Sequence, residues 1–142
     1  MKSIYVSGPM TGIPRFNFPL FDEVTAELRK DGWTVYNPAE HDRQIAPNIE
    51  QWPGFAAGDP AGCPAFDRAG SLRWDFATIA ERVNAIVMLP RWERSSGACG
   101  ERYVAEQTGK DIWLAKREWR HYPWSFGADD KKRMIVVVAE IG

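Results

Sequence analysis

The sequence predicts an α/β fold: a doubly wound, mainly parallel sheet of five strands with helices on both faces. Three observations carry this expectation. Apolar runs of strand length alternate along the chain with segments of helical periodicity, the pattern that builds parallel sheets through crossover helices. A first strand, a helix and a second strand fit within about 35 residues, the span of one crossover unit. The run Ala85-Ile86-Val87-Met88-Leu89 is apolar without alternation, as a strand covered on both faces must be.

Each element has its own signal. Ser3 to Gly8 is short and apolar and stops at Gly8-Pro9, so it reads as a buried strand ended by a turn. After the turn-rich Met10 to Arg15, Asn17 is placed to cap a helix in which Phe21, Val24 and Leu28 keep helical spacing and Asp22 and Glu23 stand near the start; Gly32 ends it. Trp33-Thr34-Val35-Tyr36 forms a strand halted by Asn37-Pro38. From Arg43 to Gly70, repeated prolines and glycines prevent any long regular element. With Trp52, Phe55 and Phe66 in it, this stretch is either a lid over a ligand or a loose insertion. Helical spacing resumes at Leu72, Phe76, Ile79 and Val83, ahead of the Ala85–Leu89 strand. Ser95-Ser96-Gly97 opens a helix through Tyr103 and Val104 to Gly109; Ile112-Trp113-Leu114 supplies a fourth strand and Met134 to Ala139 a fifth.

A chain of 142 residues, 44% hydrophobic and 26% charged, has the balance of one globular domain. It buries about 70% of the surface its unfolded form exposes, enough to fold without metal or disulfide. Cys63 and Cys99 lack C-x-x-C spacing and suit a reducing cytosol. Together with His41 and His121 they show no ligand spacing, so no metal and no cofactor is expected. Apolar runs such as Ile135 to Ala139 fall far short of the roughly 20 residues of a membrane span. Met1-Lys2-Ser3 runs straight into the first strand without a signal-peptide pattern. A cytoplasmic protein with no membrane partner is expected. A net charge of −1 argues against affinity built on phosphate-backbone neutralisation, so nucleic acid is not an expected partner. Lys110 to Arg133 interleaves basic residues with Trp113, Trp119 and Trp124. That stretch reads either as a stacking surface for single strands or as a connection whose tryptophans pack on the core or on a second subunit. An apolar final strand at an open sheet edge invites pairing, so a homo-oligomer, dimer or higher, is expected.

In a flavodoxin- or Rossmann-like sheet of order 2-1-3-4-5, ligands bind beyond the carboxyl ends of the strands, between the first and third. The loops leaving those strands are Gly8-Pro9-Met10-Thr11-Gly12 and Arg91 to Gly97. The first is neither G-x-G-x-x-G nor a Walker A loop, but its two glycines allow close backbone approach to a ligand. In the second, Ser95, Ser96 and Gly97 stand at a helix N-terminus, where free N–H groups favour phosphate or carboxylate; a serine that merely caps the helix is the competing reading. Glu101 lies one turn in, behind the small Gly97, Ala98, Cys99 and Gly100. On these residues alone it is either turned into the crevice or solvated, and the small residues either leave room for substrate or permit tight helix packing. No G-x-S-x-G nucleophile elbow occurs.

Ile4 to Gly12, Asn17 to Phe21, Gly32 to Pro38, and Asp75 through Glu101 to Lys110 resemble the nucleoside 2-deoxyribosyltransferase superfamily, and within it the phage and bacterial branch of DUF4406-type proteins. The Ser96-Gly97-x-x-x-Glu101 element, with Ala105 and Gly109-Lys110, is the most specific part. The likeness covers about residues 3–114 apart from Arg43–Gly70. That leaves a single such domain over 1–142, with an insertion at 43–70 and a divergent tail from about 115. The resemblance implies an enzyme that cleaves or transfers the N-glycosidic bond of a 2′-deoxyribonucleoside or its 5′-monophosphate, through a covalent glycosyl intermediate on Glu101. It implies Asp75 at the leaving base, as proton donor or orienting group, and Tyr5 as the residue that orients Glu101. Ser95 falls where nucleoside-using members carry aspartate and nucleotide-using members serine, which tilts the expectation toward 5′-monophosphates. Nucleotide-using members have an arginine at the position of Thr11, so Arg15, Arg91 and Arg94 are the candidates to meet phosphate charge. Transfer activity in the superfamily also borrows a residue from a neighbouring subunit. A module of the same fold that binds nucleotide without turning it over is the alternative.

Overall fold

The computed structural model describes residues 2–121 and 131–140. The elements are β1 (Ser3–Ser7), α1 (Phe18–Lys30), β2 (Thr34–Tyr36), α2 (Pro38–Ile45), α3 (Arg68–Arg82), β3 (Ala85–Met88), α4 (Ser96–Gln107), β4 (Asp111–His121) and β5 (Lys131–Ala139). They form an α/β structure around a five-stranded sheet of order β2-β1-β3-β4-β5.

β1 pairs in parallel with β2 (Ile4 opposite Val35) and with β3 (Val6 opposite Val87), and β3 pairs in parallel with β4 (Val87 opposite Trp113). β5 departs from the expected winding. It runs antiparallel to β4, from Trp113 opposite Ala139 to His121 opposite Lys131, so the sheet is mixed rather than mainly parallel. The reason is chain length. Residues 122–130 alone separate the two strands, and a parallel crossover needs a dozen or more. β4 is also longer than the expected Ile112–Leu114, and beyond Leu114 it pairs with β5 and no longer with β3.

Both faces of the sheet are covered. Along β1, Ile4 and Val6 join Phe21, Val24 and Leu28 of α1 in one buried cluster. Tyr5 joins Ile79 of α3 and Ala98 and Ala105 of α4 in the other. That two-residue parity later builds the site. Trp113 packs edge-on against Trp33 in the first cluster, 5.7 Å between ring centres, so this member of the basic, tryptophan-bearing stretch serves packing. The side chain of Trp119 and the whole of Trp124 lie outside the described residues.

Three local features differ from the sequence pattern. The Asn37-Pro38 pair that stops β2 also starts α2: Pro38 is tolerated in the first turn, and the Asn37 side chain accepts from the Ala39 N–H at 2.9 Å. Asn17 stands at the N-cap position of α1 without capping it. Its amide donates instead to the Pro9 carbonyl at 3.0 Å, tying the loop after β1 to α1. The segment expected to be a lid or a loose insertion is a packed cover. The N–H groups of Gly12 and Arg15 donate to the carbonyls of Gly58 and Phe55, both at 2.9 Å. The Phe16 ring lies 4.5 Å from that of Phe66 and 5.7 Å from that of Phe55. Gly58 has φ 73°, and a Cβ there would collide with the Ile13 carbonyl, so glycine is required.

Candidate active site

A cavity of about 570 Å³ opens beyond the carboxyl ends of β1 and β3, where the winding direction reverses. Its walls come from the loop after β1, the start of α4, and the cavity-facing sides of α2 and α3. Pro60, Ala61, Ala65 and Phe66 of the cover also line it. Trp52 and Phe55, the other aromatic groups of the cover, pack against the core instead.

The fate of Glu101 is decided by β1. Tyr5 and Ser7 are two residues apart on one strand and so share a face, the one covered by α3 and α4. The Tyr5 hydroxyl donates to Glu101 Oε2 at 2.6 Å, and the Ser7 hydroxyl donates to Oε1 at 2.7 Å. With 7% of its surface exposed and both oxygens held, Glu101 belongs to the crevice rather than to solvent. Ser7 is a site residue that sequence reasoning missed, although its spacing from Tyr5 is the signal that finds it.

Asp75, from α3, lines the same cavity. Burial pushes Glu101 up to about 8; the nearby Asp75 charge adds to this, and the Tyr5 and Ser7 hydroxyls oppose it. Burial pushes Asp75 up to about 6, opposed by hydrogen bonding from Tyr5 and Glu101. The Tyr5 phenol is held well above its ordinary value, first by burial and then by the charges of Glu101 and Asp75, so it remains a donor. A third carboxyl, Asp42 of α2, lines the cavity too. Burial and then the Asp75 charge push it up to about 8, against the pull of Arg43. It is absent from the sequence expectations because α2 is.

Gly8, Pro9, Met10 and Thr11 line the cavity, and Gly12 does not. Both glycines also have a backbone reason. A Cβ at Gly8 would lie 2.6 Å from Leu89 Cβ, and Gly12 has φ 80°. Ser95, Ser96 and Gly97 line the cavity at the α4 N-terminus. The Ala98 N–H donates to Ser95 Oγ at 3.1 Å, so Ser95 caps the helix while facing the cavity. The small residues behind it serve both purposes: a Cβ at Gly97 would meet nothing nearer than Ser95 Oγ at 3.8 Å, whereas one at Gly100 would touch Phe76 of α3 at 3.5 Å. Of the three arginines, Arg94 lines the cavity. Arg15 does not; it is exposed and left-handed (φ 58°) in the turn that anchors the cover. Arg91 lines a second hollow of about 370 Å³ beside Lys116 and Arg117.

Among the described residues no three His, Cys, Asp or Glu side chains are grouped to hold a metal ion, and no helix is long and apolar enough to cross a membrane. Cys63 is buried and Cys99 exposed, both free. His41 stacks on Trp74, 3.8 Å between ring centres. No curated protein matches the sequence. A family model, that of DUF4406, a domain of unknown function, matches residues 2–114, ending at the last β4 residue that pairs with β3. By that match, which takes in β1, α4 and every residue of the carboxylate cluster, the chain belongs to the DUF4406 family.

Proposed function

We propose that the protein is an enzyme of the nucleoside 2-deoxyribosyltransferase type, with flavodoxin-like winding as far as β4. It cleaves or transfers the N-glycosidic bond of a 2′-deoxyribonucleoside or its 5′-monophosphate. The observation that carries this reading is Glu101: a buried carboxylate clamped by Tyr5 and Ser7 beside a second carboxyl, Asp75, in a cavity at the switch point.

Two close carboxyls cannot both ionise cheaply, so near neutrality the pair holds one proton. Burial favours keeping it on Glu101, the more enclosed group; the two hydroxyl donations oppose this, and cationic character on a sugar in front of Glu101 tips the charge onto it. Glu101 then attacks the anomeric carbon as the bond to the base breaks, and the leaving nitrogen takes the proton of Asp75. Water or a second base next attacks the glycosyl ester from the opposite face, frees Glu101 and returns the proton to Asp75. The α4 N-terminus with Ser95, Ser96 and Arg94 supports a 5′-phosphate. No cofactor enters.

The test is chromatographic. Wild type and Glu101→Gln are incubated with each common 2′-deoxynucleoside and 5′-monophosphate, with and without an acceptor base. Base release by wild type alone establishes the chemistry, and exchange of bases distinguishes transfer from hydrolysis. Intact nucleotide bound without release by either protein makes this a binding module instead.

A further inference from the structure

The reaction above does not use the second hollow, of about 370 Å³. Its origin lies in the sheet. β3 stops at Met88 and its chain turns away, while β4 runs on past Leu114, the last residue that pairs with β3. A notch opens between them, at the same end of the sheet as the active-site cavity. Arg91 lines it from the departing chain; Lys116 and Arg117, successive on β4 and therefore on opposite faces, line it from the other side. Among the described residues neither Arg91 nor Lys116 pairs with a carboxylate, and Arg117 reaches only Glu23, at 3.3 Å. Glu93 is the one acid in the lining, so three cations stand there against one anion. Like charges gathered in one concavity repel one another, and an entering anion relieves that repulsion.

A single turn divides the hollow from the cavity. Trp92–Arg94 form a short 3₁₀ helix; Arg94 lines the cavity, and Arg91, just before the turn, lines the hollow. At about 2 Å of rise per residue the two arginines start about 6 Å apart, a distance that a chain of two or three phosphoryl groups spans. The turn is held in place. The Arg94 N–H donates to the Arg91 carbonyl at 3.1 Å and the Ser95 N–H to the Trp92 carbonyl at 3.0 Å, while the Arg102 guanidinium lies 4.6 Å over the Trp92 ring. Cations on both sides of a fixed turn therefore form one track, running from the α4 N-terminus over Arg94 and Arg91 to Lys116.

We propose that this track receives the outer phosphoryl groups of the substrate, so that the site takes 2′-deoxynucleoside 5′-di- and triphosphates in preference to monophosphates. The first phosphate stays with Ser95, Ser96 and Arg94, and those beyond it cross the turn to Arg91 and Lys116. Their anhydride bonds are left intact, and the glycosidic step is unchanged. Arg91 and Lys116 are thus specificity-determining residues for the length of the phosphate chain, each supplying a charge-assisted hydrogen bond that a monophosphate is too short to accept. The proposal rests on the glycosidic reading for the placement of the first phosphate.

The experiment measures binding in the full-length Glu101→Gln protein. Calorimetry compares each common 2′-deoxynucleoside 5′-monophosphate with its di- and triphosphate, without divalent cations and at about 0.15 M salt, where exposed charges more than about 8 Å apart are largely screened. The longer phosphates are expected to bind about tenfold or more tightly than the monophosphate. Arg91→Gln and Lys116→Gln are each expected to lower that ratio, and together to bring it near one, with monophosphate affinity unchanged. Arg82→Gln removes the same charge at the end of α3 that leads into β3, the opposite end of the sheet, and is expected to leave the ratio in place. Thermal melts establish that each variant is folded, and if Arg91→Gln is not, Lys116→Gln decides alone. A ratio unmoved by these variants, no preference in the parent protein, or inorganic tripolyphosphate binding as tightly as the nucleoside triphosphate overturns the proposal. A preference that depends on Arg91 and Lys116, with no base release by wild type from any nucleotide, upholds it while the glycosidic reading falls. Base release without such a preference does the reverse, and failure of every nucleotide to bind overturns both.

Discussion

Replacing Glu101 by Gln is expected to remove the activity and, above neutral pH, to stabilise the fold. In the unfolded chain this carboxyl ionises near its ordinary 4.5, and in the fold burial lifts it to about 8. A group whose pKa is raised on folding holds its proton more tightly when folded. Its contribution is therefore fully present below the unfolded value and is lost as pH climbs through the folded one. Each pH unit in that window costs about 1.4 kcal/mol, which sets an upper bound of about 5 kcal/mol at and above pH 8. Gln escapes the whole of it. Against this, a Gln amide has one acceptor oxygen where the carboxylate has two, so either Tyr5 or Ser7 is left without a partner at about 1–3 kcal/mol. The balance is a variant less stable than wild type by about 1 kcal/mol near pH 5 and more stable by about 1–3 kcal/mol near pH 8.5. Urea melts of both proteins from about pH 5 to about pH 9 measure the difference directly. A difference that stays flat across that range, or that falls as pH rises, would refute the argument that Glu101 is a desolvated carboxyl clamped by two hydroxyls.

The same pair shapes the rate. Base release is expected to be bell-shaped in pH, falling below about 6, where both carboxyls are protonated and no nucleophile remains, and above about 8, where no acid remains; kcat/KM profiles check it. Tyr5→Phe removes the 2.6 Å hydrogen bond while keeping the ring, and is expected to lower kcat about 10- to 100-fold with little change in KM. Ser95→Asp keeps an N-cap of equal quality, so the melting temperature holds; monophosphate affinity is expected to drop at least about tenfold relative to the matching nucleoside, measured by calorimetry. Gly58→Ala forces a side chain into a left-handed position against the Ile13 carbonyl, and is expected to cost about 2 kcal/mol or more in denaturant melts and to expose residues 43–70 to protease.

The elements that could be read from the chain are those whose cause is local. β3 is a continuous apolar run and β1 has an apolar centre because both faces of each are covered, and α4 begins where serine and small residues favour a helix start. α2 escaped because Asn37-Pro38 carries two meanings, a strand stop and a helix start, and pattern alone does not choose between them. The antiparallel turn of β5 was present in the nine-residue spacing 122–130 but hidden behind an expectation of regular alternation. Arg15 illustrates the opposite failure: a cation close in sequence to the cavity-lining loop after β1 stands in a run of three successive left-handed residues, Arg15, Phe16 and Asn17, and does not line the cavity.

By itself, then, the sequence determined which segments become strands and helices and which residues share a strand face, because periodicity and steric preference act over a few residues. The resemblance it carries also named Glu101, Asp75 and Tyr5 as candidates. Only the tertiary structure decided that Tyr5 and Ser7 grip a carboxylate more than ninety residues away. It also brought Asp42 to the cavity and turned Arg15 from it, and it lifted three carboxyls out of their ordinary range. Those outcomes depend on burial and on distances between elements, and desolvation has no value until the chain has closed around the group that feels it.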